Sequence, residues 1–427
     1  MLISVSSRFA RGGALVLLSV LVAVDVLTPP AAAQDGFSDG AVRIGLMADM
    51  ASLYSDTAGP GAVLAAKMAI EDMGGAVLGS AIEFVSLDHQ NKADIAATKA
   101  REWYQSGGMD LVVVVSTSSA AMAVQEVARQ EERIVLYTGV GTSALTGEAC
   151  SPVGVQWAFD TYSQSVGTAA TLVEQGGKSW FFIAADYAYG ISLVEDATRV
   201  VEAKGGEVLG ALYHPFPTTD FSSYLLQAQA SGAQVIGLGN AGQDTITAIK
   251  QAKEFGLMEA GQQIAALLFF VTDVHALGLE TAQGVILTTP FYWDYNEATR
   301  AWSQRFFDQM NKMPTLVQAS TYSAVRHYLR AVEAAVTDAA MPVRAKMSEL
   351  PVDDFFALNG YVRVDGREVN DMLLARVKSP EQSHGPWDYY EILKVIPGEA
   401  AFRPLEGSAC PLVKGSAGAP TEPDGAP

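Results

Sequence analysis

The sequence predicts an α/β protein made of two doubly wound parallel-sheet units. Three observations carry this. Apolar, β-branched runs such as Leu111–Val115 and Ile134–Tyr137 alternate with amphipathic stretches, the pattern of parallel strands buried on both faces with helices between them. The alternation restarts after about residue 160. At 427 residues, the chain exceeds what a single core usually organises.

Taken in order, a polar start at 34–40 leads into AVRIGLM (41–47), a strand, and then a loop. Ala-rich spacing with Leu64, Met68 and Ile70 predicts a helix over 61–73. Ile82–Leu87 is the next strand, 93–106 a helix and Leu111–Val115 a strand. Met122, Val124 and Val127 mark the helix before Ile134–Tyr137. Right-handed crossovers place these strands parallel. The second series runs Gln164–Glu174 (helix), Ser179–Ala184 (strand), the loop DYAYG, Ser192–Lys204 (helix) and Gly206–Tyr213 (strand). It continues with a helix over Phe221–Ala230, a strand over Ala233–Gly239, a helix over 244–255, and strands at Ile264–Val271 and Gly284–Thr289. Beyond Phe291 come two long helices, Glu297–Asn311 and Gln318–Thr337, with no strand between them. LNGYVRVDGREV and DMLLARVKS read as a hairpin turned about Asp365-Gly366. Residues 387–396 form a further strand, and 411–427, rich in Gly, Pro and Ala, a disordered tail.

The candidate chemistry lies at strand ends. Ser116, Thr117, Ser118 and Ser119 follow one strand; Thr138, Thr142 and Ser143 follow the next. In open parallel sheets ligands sit beyond the carboxyl ends of the strands. Ser118 and Ser119 also open a helix, whose unpaired N–H groups attract an anion. Helix capping is the plainer role for such serines, but two successive strand ends with the same chemistry favour ligand contact.

Composition narrows the classes. Hydrophobic residues make up 49% and charged ones 18%, the balance of a folded chain. Lys plus Arg number 28 against 47 Asp plus Glu, a net charge of −19, which argues against nucleic acid or an anionic membrane surface as partner. Arg8 and Arg11 precede an apolar run and then Pro29, Pro30 and Ala31–Ala33, so residues 1–33 read as a signal peptide cut after Ala33. No cysteine lies there to carry a lipid anchor. The expected product is exported and soluble. Cys150 and Cys410 are the two cysteines, and export permits a long-range disulfide between them.

Gly237-Leu-Gly239-Asn-Ala-Gly242 has the dinucleotide spacing after a strand and before a helix. Asp273, ending the next strand, lies well past the usual ~20 residues, and a tight turn at a strand end is the simpler reading. The five histidines show no metal-ligand spacing, and no G-x-S-x-G marks a nucleophile. No cofactor, metal or catalytic group is expected.

Several segments carry a resemblance: RIGLM with Y54SDTAGPGA, STSSAAMAVQEVA with TGVGTS, AADYAYGIS, TTDFSSYLLQAQASGAQVIGLGN, IKQAKEFGL and GVILTTPFYWD. In this order the chain resembles the Leu/Ile/Val-binding proteins, the type I solute receptors of ABC importers. The resemblance implies two lobes, 34–158 with 290–345 and 159–289 with 346–410, joined by three hinge crossovers near 157–160, 289–291 and 343–350. It implies a ligand held between the lobes, with Tyr54 covering it and Ser118 or Ser119, Thr142 and backbone around Val140 on its carboxylate. Tyr189 would close from the second lobe. Asn240–Asp244 lacks the family's cleft tyrosine, and Phe269–Phe270 stands where the family has an ammonium-binding glutamate; Asn240 and Asp273 are the candidates for reading the other end.

The function expected is a monomeric periplasmic receptor handing a small carboxylate-bearing solute to an ABC permease of the inner membrane. Branched-chain or aromatic amino acids, amides and aromatic acids are the solute classes. The abundance of aromatics near the hinge and cleft (FYWDY at 291–295, Tyr187, Tyr189, Phe270) favours a flat ligand. The alternative is an exported enzyme or redox-accessory protein using the cleft for a nucleotide or quinoid cofactor.

Overall fold

A computed structural model describes residues 36–416. The expected leader at 1–33 and the end of the expected tail, 417–427, lie outside the described residues. Strands β1 (Ala41–Ala48), β2 (Ala76–Val77), β3 (Ser80–Asp88), β4 (Leu111–Val114), β5 (Ile134–Tyr137) and β6 (Gly154–Gln156) form one sheet in the order β2-β3-β1-β4-β5-β6. All pairings are parallel except β2 with β3. Every residue of β4 and β5 is buried, which is why both are apolar throughout. The second sheet is all parallel: β7 (Ser179–Ala185), β8 (Glu207–His214), β9 (Val235–Gly239) and β10 (Gln263–Ala266), ordered β10-β9-β7-β8.

The chain passes between the two sheets three times. From β6, residues 157–160 lead to a helix that starts at Thr161. Asp160 caps it: its carboxylate accepts from Ser163 N (2.8 Å), and Ser163 Oγ accepts from Asp160 N (3.0 Å). After β11 (Ile286–Thr289) the helices Glu297–Met310 and Leu316–Ala335 return to the first sheet. There Arg305 and Tyr322 both donate to Asp72 of the helix Gly59–Asp72. Helix Ala340–Glu349, which the sequence did not announce, packs on Leu316–Ala335, with His327 Nε2 2.9 Å from Met347 O. The third passage therefore begins at Leu350, where the expected span 343–350 ends. β12 (Tyr361–Val362) and β13 (Glu368–Val369) form the hairpin about Asp365-Gly366. β14 (Met372–Val377) lies between β11 and β15 (Tyr390–Ile396), antiparallel to both, instead of completing that hairpin.

Three further expectations are corrected. The strand expected over Ile264–Val271 ends at Ala266, and Val271–Leu277 is a helix. Asp273 is the reason: its carboxylate accepts from Phe270 N at 2.9 Å and caps that helix. DYAYG is not all loop, because the helix Ala188–Ala203 already includes Tyr189 and Gly190. The expected tail opens as a helix, Pro411–Ser416, anchored beside Cys410 with Val413 N donating to Cys410 O at 3.2 Å.

The first and third passages are stitched together. Gln156 N donates to Gly366 O (2.8 Å), Ala158 N to Glu368 Oε2 (3.2 Å) and Arg367 Nη1 to Phe159 O (3.0 Å). A Cβ on Gly366, at φ +84°, would fall 2.4 Å from Gly154 O, so only glycine allows this approach. Cys150 and Cys410 form a disulfide, Cα–Cα 5.5 Å, across 260 residues of sequence. It joins the loop before β6 to the segment after β15.

Replacing both cysteines by serine is expected to lower unfolding stability by about 2–5 kcal/mol, read as a shift of the denaturant midpoint; an unchanged midpoint would contradict this. Burial pushes the Glu368 carboxyl from its ordinary 4.5 up to about 8, against the opposing pull of Arg367. The folded protein thus keeps this proton to higher pH than the unfolded chain. The stability contributed by neutral Glu368 is full below 4.5 and is lost as pH rises toward about 8. Glu368→Gln is expected to flatten that part of the urea-midpoint profile relative to wild type.

Candidate functional site

The carboxyl ends of the two parallel sheets face each other across a cleft. On the first side the loop after β1 is built on Asp49. Its carboxylate accepts from the backbone N–H of Tyr54 (2.8 Å) and Ser52 (2.8 Å), from Ser52 Oγ (2.7 Å) and from Asn91 Nδ2 (2.7 Å). Burial alone would raise its pKa, yet these donors outweigh it and the pKa is lowered. Asp49 thereby fixes the turn that aims Tyr54 into the cleft.

Tyr54 meets the second side directly. Its hydroxyl lies 2.9 Å from that of Tyr187, and its ring stacks on Phe216 at 5.7 Å. Tyr187 packs on Phe216 and on Tyr189 (4.8 and 6.0 Å). The Tyr189 hydroxyl donates to Gln164 Oε1 at 3.2 Å. Burial raises the pKa of all three phenols, so each remains a neutral hydroxyl.

Behind this contact is a cavity of about 20 Å³, room for a single water, so a larger solute enters only as its walls part. Tyr54, Tyr187, Tyr189, Phe159 and Phe270 supply aromatic walls. Ser116, Thr57 and the backbone at Gly139 and Gly141 supply polar groups, and no charged side chain lines it. Two glycines let the backbones close on it. A Cβ on Gly141 would fall 2.6 Å from the Tyr189 ring, and one on Gly242 would fall 3.0 Å from Leu53 O. Gly242 also holds φ +58°. Gly237 and Gly239 pack against Phe182 and Ala184, so the glycine spacing at 237–242 is accounted for by contact with protein.

Of the residues singled out from the sequence, Tyr54 and Tyr189 line the cavity. Ser118 is fully buried and accepts from Thr142 N at 3.3 Å, while Thr142 Oγ1 accepts from Ala144 N at 3.3 Å. Val140 O accepts from Gln156 Nε2 at 2.8 Å. This group ties the two strand ends to each other and stands behind the cavity wall. Ser119 is part-exposed on the helix and is not among the lining residues. Asn240 bonds His214 Nε2 (3.1 Å) and Thr245 Oγ1 (2.7 Å) within the second sheet's own side. Asp273 faces an outer groove instead. The hydroxyl-bearing residue that does line the cavity at the end of β4 is Ser116, held at φ +95°, its Oγ accepting from Asp49 N at 3.5 Å. A non-glycine residue there is uncommon and marks a constrained site.

The periplasmic binding protein family model matches residues 41–384, most of the chain. The chain belongs to the periplasmic binding protein family. A periplasmic binding protein from Burkholderia mallei is 49% identical, covering 87% of this chain and 99% of its own, with a TM-score of 0.86. A branched chain amino acid ABC transporter periplasmic ligand-binding protein from Burkholderia xenovorans is 38% identical, covering 87% of this chain and all of its own, at a TM-score of 0.78. A solute binding protein from R. palustris, solved in complex with benzoate, shares the fold at 20% identity over 87% of this chain and 100% of its own, with a TM-score of 0.76. The curated Leu/Ile/Val-binding protein homolog 6 of Brucella melitensis is 29% identical over 202 residues, 46% of this chain, and the match spans about half (51%) of its length. Among the described residues no helix is long and apolar enough to cross a membrane. In this periplasmic binding protein the cleft walls are thus aromatic and hydroxyl-bearing on both sides.

Closure depends on bare backbone at Gly141. Gly141→Ala is expected to weaken ligand binding about 10-fold or more, through its clash with the Tyr189 ring, with little effect on the thermal midpoint. Calorimetry and melting checks both halves, and full-strength binding would contradict the contact.

Proposed function

We propose that the protein is the solute receptor of an ABC importer, taking a small carboxylate-bearing aromatic molecule into the inter-sheet cleft and passing it, as a monomer, to a permease of the inner membrane. The observation that carries this is the cavity itself: aromatic rings on several sides, neutral donors at one wall and no charged residue among its lining. Flat ligands gain from ring contacts at about 0.5–1.5 kcal/mol each beyond their buried area. The Ser116 hydroxyl and the backbone N–H groups of Gly139 and Gly141 are the donors available to a carboxylate, the Thr57 hydroxyl being spent on Tyr54 O at 3.2 Å. The benzoate-bound neighbour supports this chemistry, and the B. xenovorans relative supports the transport role while keeping branched-chain amino acids as competing solutes.

Closing would follow from ligand-shifted populations of open and closed forms, since a solute bridging both walls favours only the closed one. The Cys150–Cys410 bond suits an exported setting.

Fluorescence titration with benzoate and 4-hydroxybenzoate against leucine and valine separates the solute classes; a response confined to the aliphatic amino acids would remove the aromatic reading. Ser116→Ala is expected to weaken binding of the responding acid by about 1–3 kcal/mol, the scale of a hydrogen bond to a charged group. Undiminished affinity would take the carboxylate away from that wall.

A further inference from the structure

Outside the Tyr54–Tyr187 contact the cleft opens into a groove of about 750 Å³, lined from the first side by the 51–57 loop and from the second by Phe216–Thr219 and Gly242–Asp244. Asp244 is 2% exposed and lines this groove. Its Oδ1 accepts from Thr218 N at 3.2 Å. No donor among the described residues reaches its Oδ2.

The nearest candidate donor is committed elsewhere. His214 Nδ1 lies 4.0 Å from Asp244 Oδ2 but only 2.9 Å from Pro215 O. A carbonyl only accepts, so the Nδ1 proton belongs to Pro215 O. Nε2 is then the acceptor for Asn240 Nδ2, and Asn240 Oδ1 in turn accepts from Thr245 Oγ1. This chain of bonds holds the imidazole neutral and turns its proton away from the carboxylate. A buried carboxylate oxygen left without a donor is costly, and the imidazole beside it is already used.

Asp244 also acts on the cavity. Burial is the main cause that raises the pKa values of Tyr54 and Tyr187, and the Asp244 charge adds a smaller contribution to both. Its neighbour Gly242 is the point where this side meets Leu53 O and the Tyr54 ring. Lys92 is the basic residue lining the groove, and its amine points to Gln90 Oε1 at 3.4 Å.

We propose that Asp244 is a specificity-determining residue, and that its unpartnered oxygen receives a nitrogen cation carried on the outward end of the solute. This rests on the receptor reading above and deepens it. The solute class becomes an aromatic acid with an amine at the end remote from its carboxylate, the acid facing the Ser116 wall and the amine in the groove, with the Tyr54–Tyr187 contact parted by the solute between them. A solute without the cation leaves Asp244 as it stands and forfeits that gain.

The test uses the mature full-length protein and two probe pairs matched in size: 4-(aminomethyl)benzoate against 4-ethylbenzoate, and 4-(2-aminoethyl)benzoate against 4-propylbenzoate. The readout is the ratio of dissociation constants within each pair, which does not depend on the fraction of protein folded. In wild type the amine member of at least one pair is expected to bind 10-fold or more tighter, and in Asp244→Asn that ratio falls to within 3-fold of unity. A Thr218→Ala control, which keeps the carboxylate, retains the preference. If the alkyl members bind wild type as well as the amines do, or Asp244→Asn leaves the ratio where it was, the assignment is overturned while the receptor reading stands. If none of the four probes binds wild type, the aromatic-acid reading and this assignment both fall.

Discussion

Everything in the cleft depends on how closely two backbones approach. The turn after β5 meets the Tyr189 ring at Gly141, and the turn after β9 meets Leu53 and Tyr54 at Gly242. With a side chain at either place the carboxyl edges of the two sheets would stand apart by the width of a methyl group or more. The Tyr54–Tyr187 hydrogen bond and the Tyr54–Phe216 stack would then lose contact distance. A hydrogen bond contributes only about 1 kcal/mol net, so the closed form is held by several small terms that all require the same approach. Closed and open forms of this kind lie within reach of a ligand's differential affinity.

The passages between the sheets answer an opposing need. In the proposed receptor they must let the sheets part, yet they run through the interior, where every backbone polar group needs a partner. Arg367 and Glu368 of the third passage serve the carbonyl of Phe159 and the N–H of Ala158 in the first. One buried pair so supplies a donor and an acceptor to a stretch that no sheet or helix ladder covers. Asp160 lies 3.7 Å from Arg367 and caps the helix beyond. The positive φ of Ala158, +74°, sits inside this clamp. Strain at that residue is maintained by the groups on either side of it.

Much of the fold was legible because it is written in periodicity. Buried strands such as β4 and β5 are apolar at every position, and helices such as Glu297–Met310 are amphipathic along their length. Tyr54 and Tyr189 came from the resemblance to solute receptors, and the two cysteines from an even count in a chain read as exported. Ser116 was missed because four hydroxyl residues follow β4 in a row, and sequence does not say which one faces forward. The answer depends on its φ of +95°, which turns the chain before the helix begins. Asp49 and Asp273 were misjudged or passed over for the same cause. Their role is set by how many N–H groups surround the carboxylate, and that is a property of the folded loop. Leu267–Phe270 looked like strand because apolarity without alternation cannot separate a buried strand from a buried coil.

Asp49 and Asp244 show how the cleft sorts identical side chains into different work. Both are carboxylates 1–2% exposed, one on each side of the opening. Asp49 gathers backbone and side-chain donors until its charge is better satisfied than in water, and its pKa falls. Such a group is spent on shaping a loop, and a ligand gains nothing by approaching it. Asp244 has one backbone donor, burial pushes its pKa up to about 6, and its second oxygen is left over. The inner cavity between them carries no charge of its own. Under the proposed function an anion there would be read by neutral hydroxyl and N–H dipoles, which discriminate by direction and distance more than by net charge. On the proposed reading, shape and hydrogen-bond geometry inside and an unsatisfied carboxylate outside would divide recognition between two compartments that a rigid, flat molecule is suited to span.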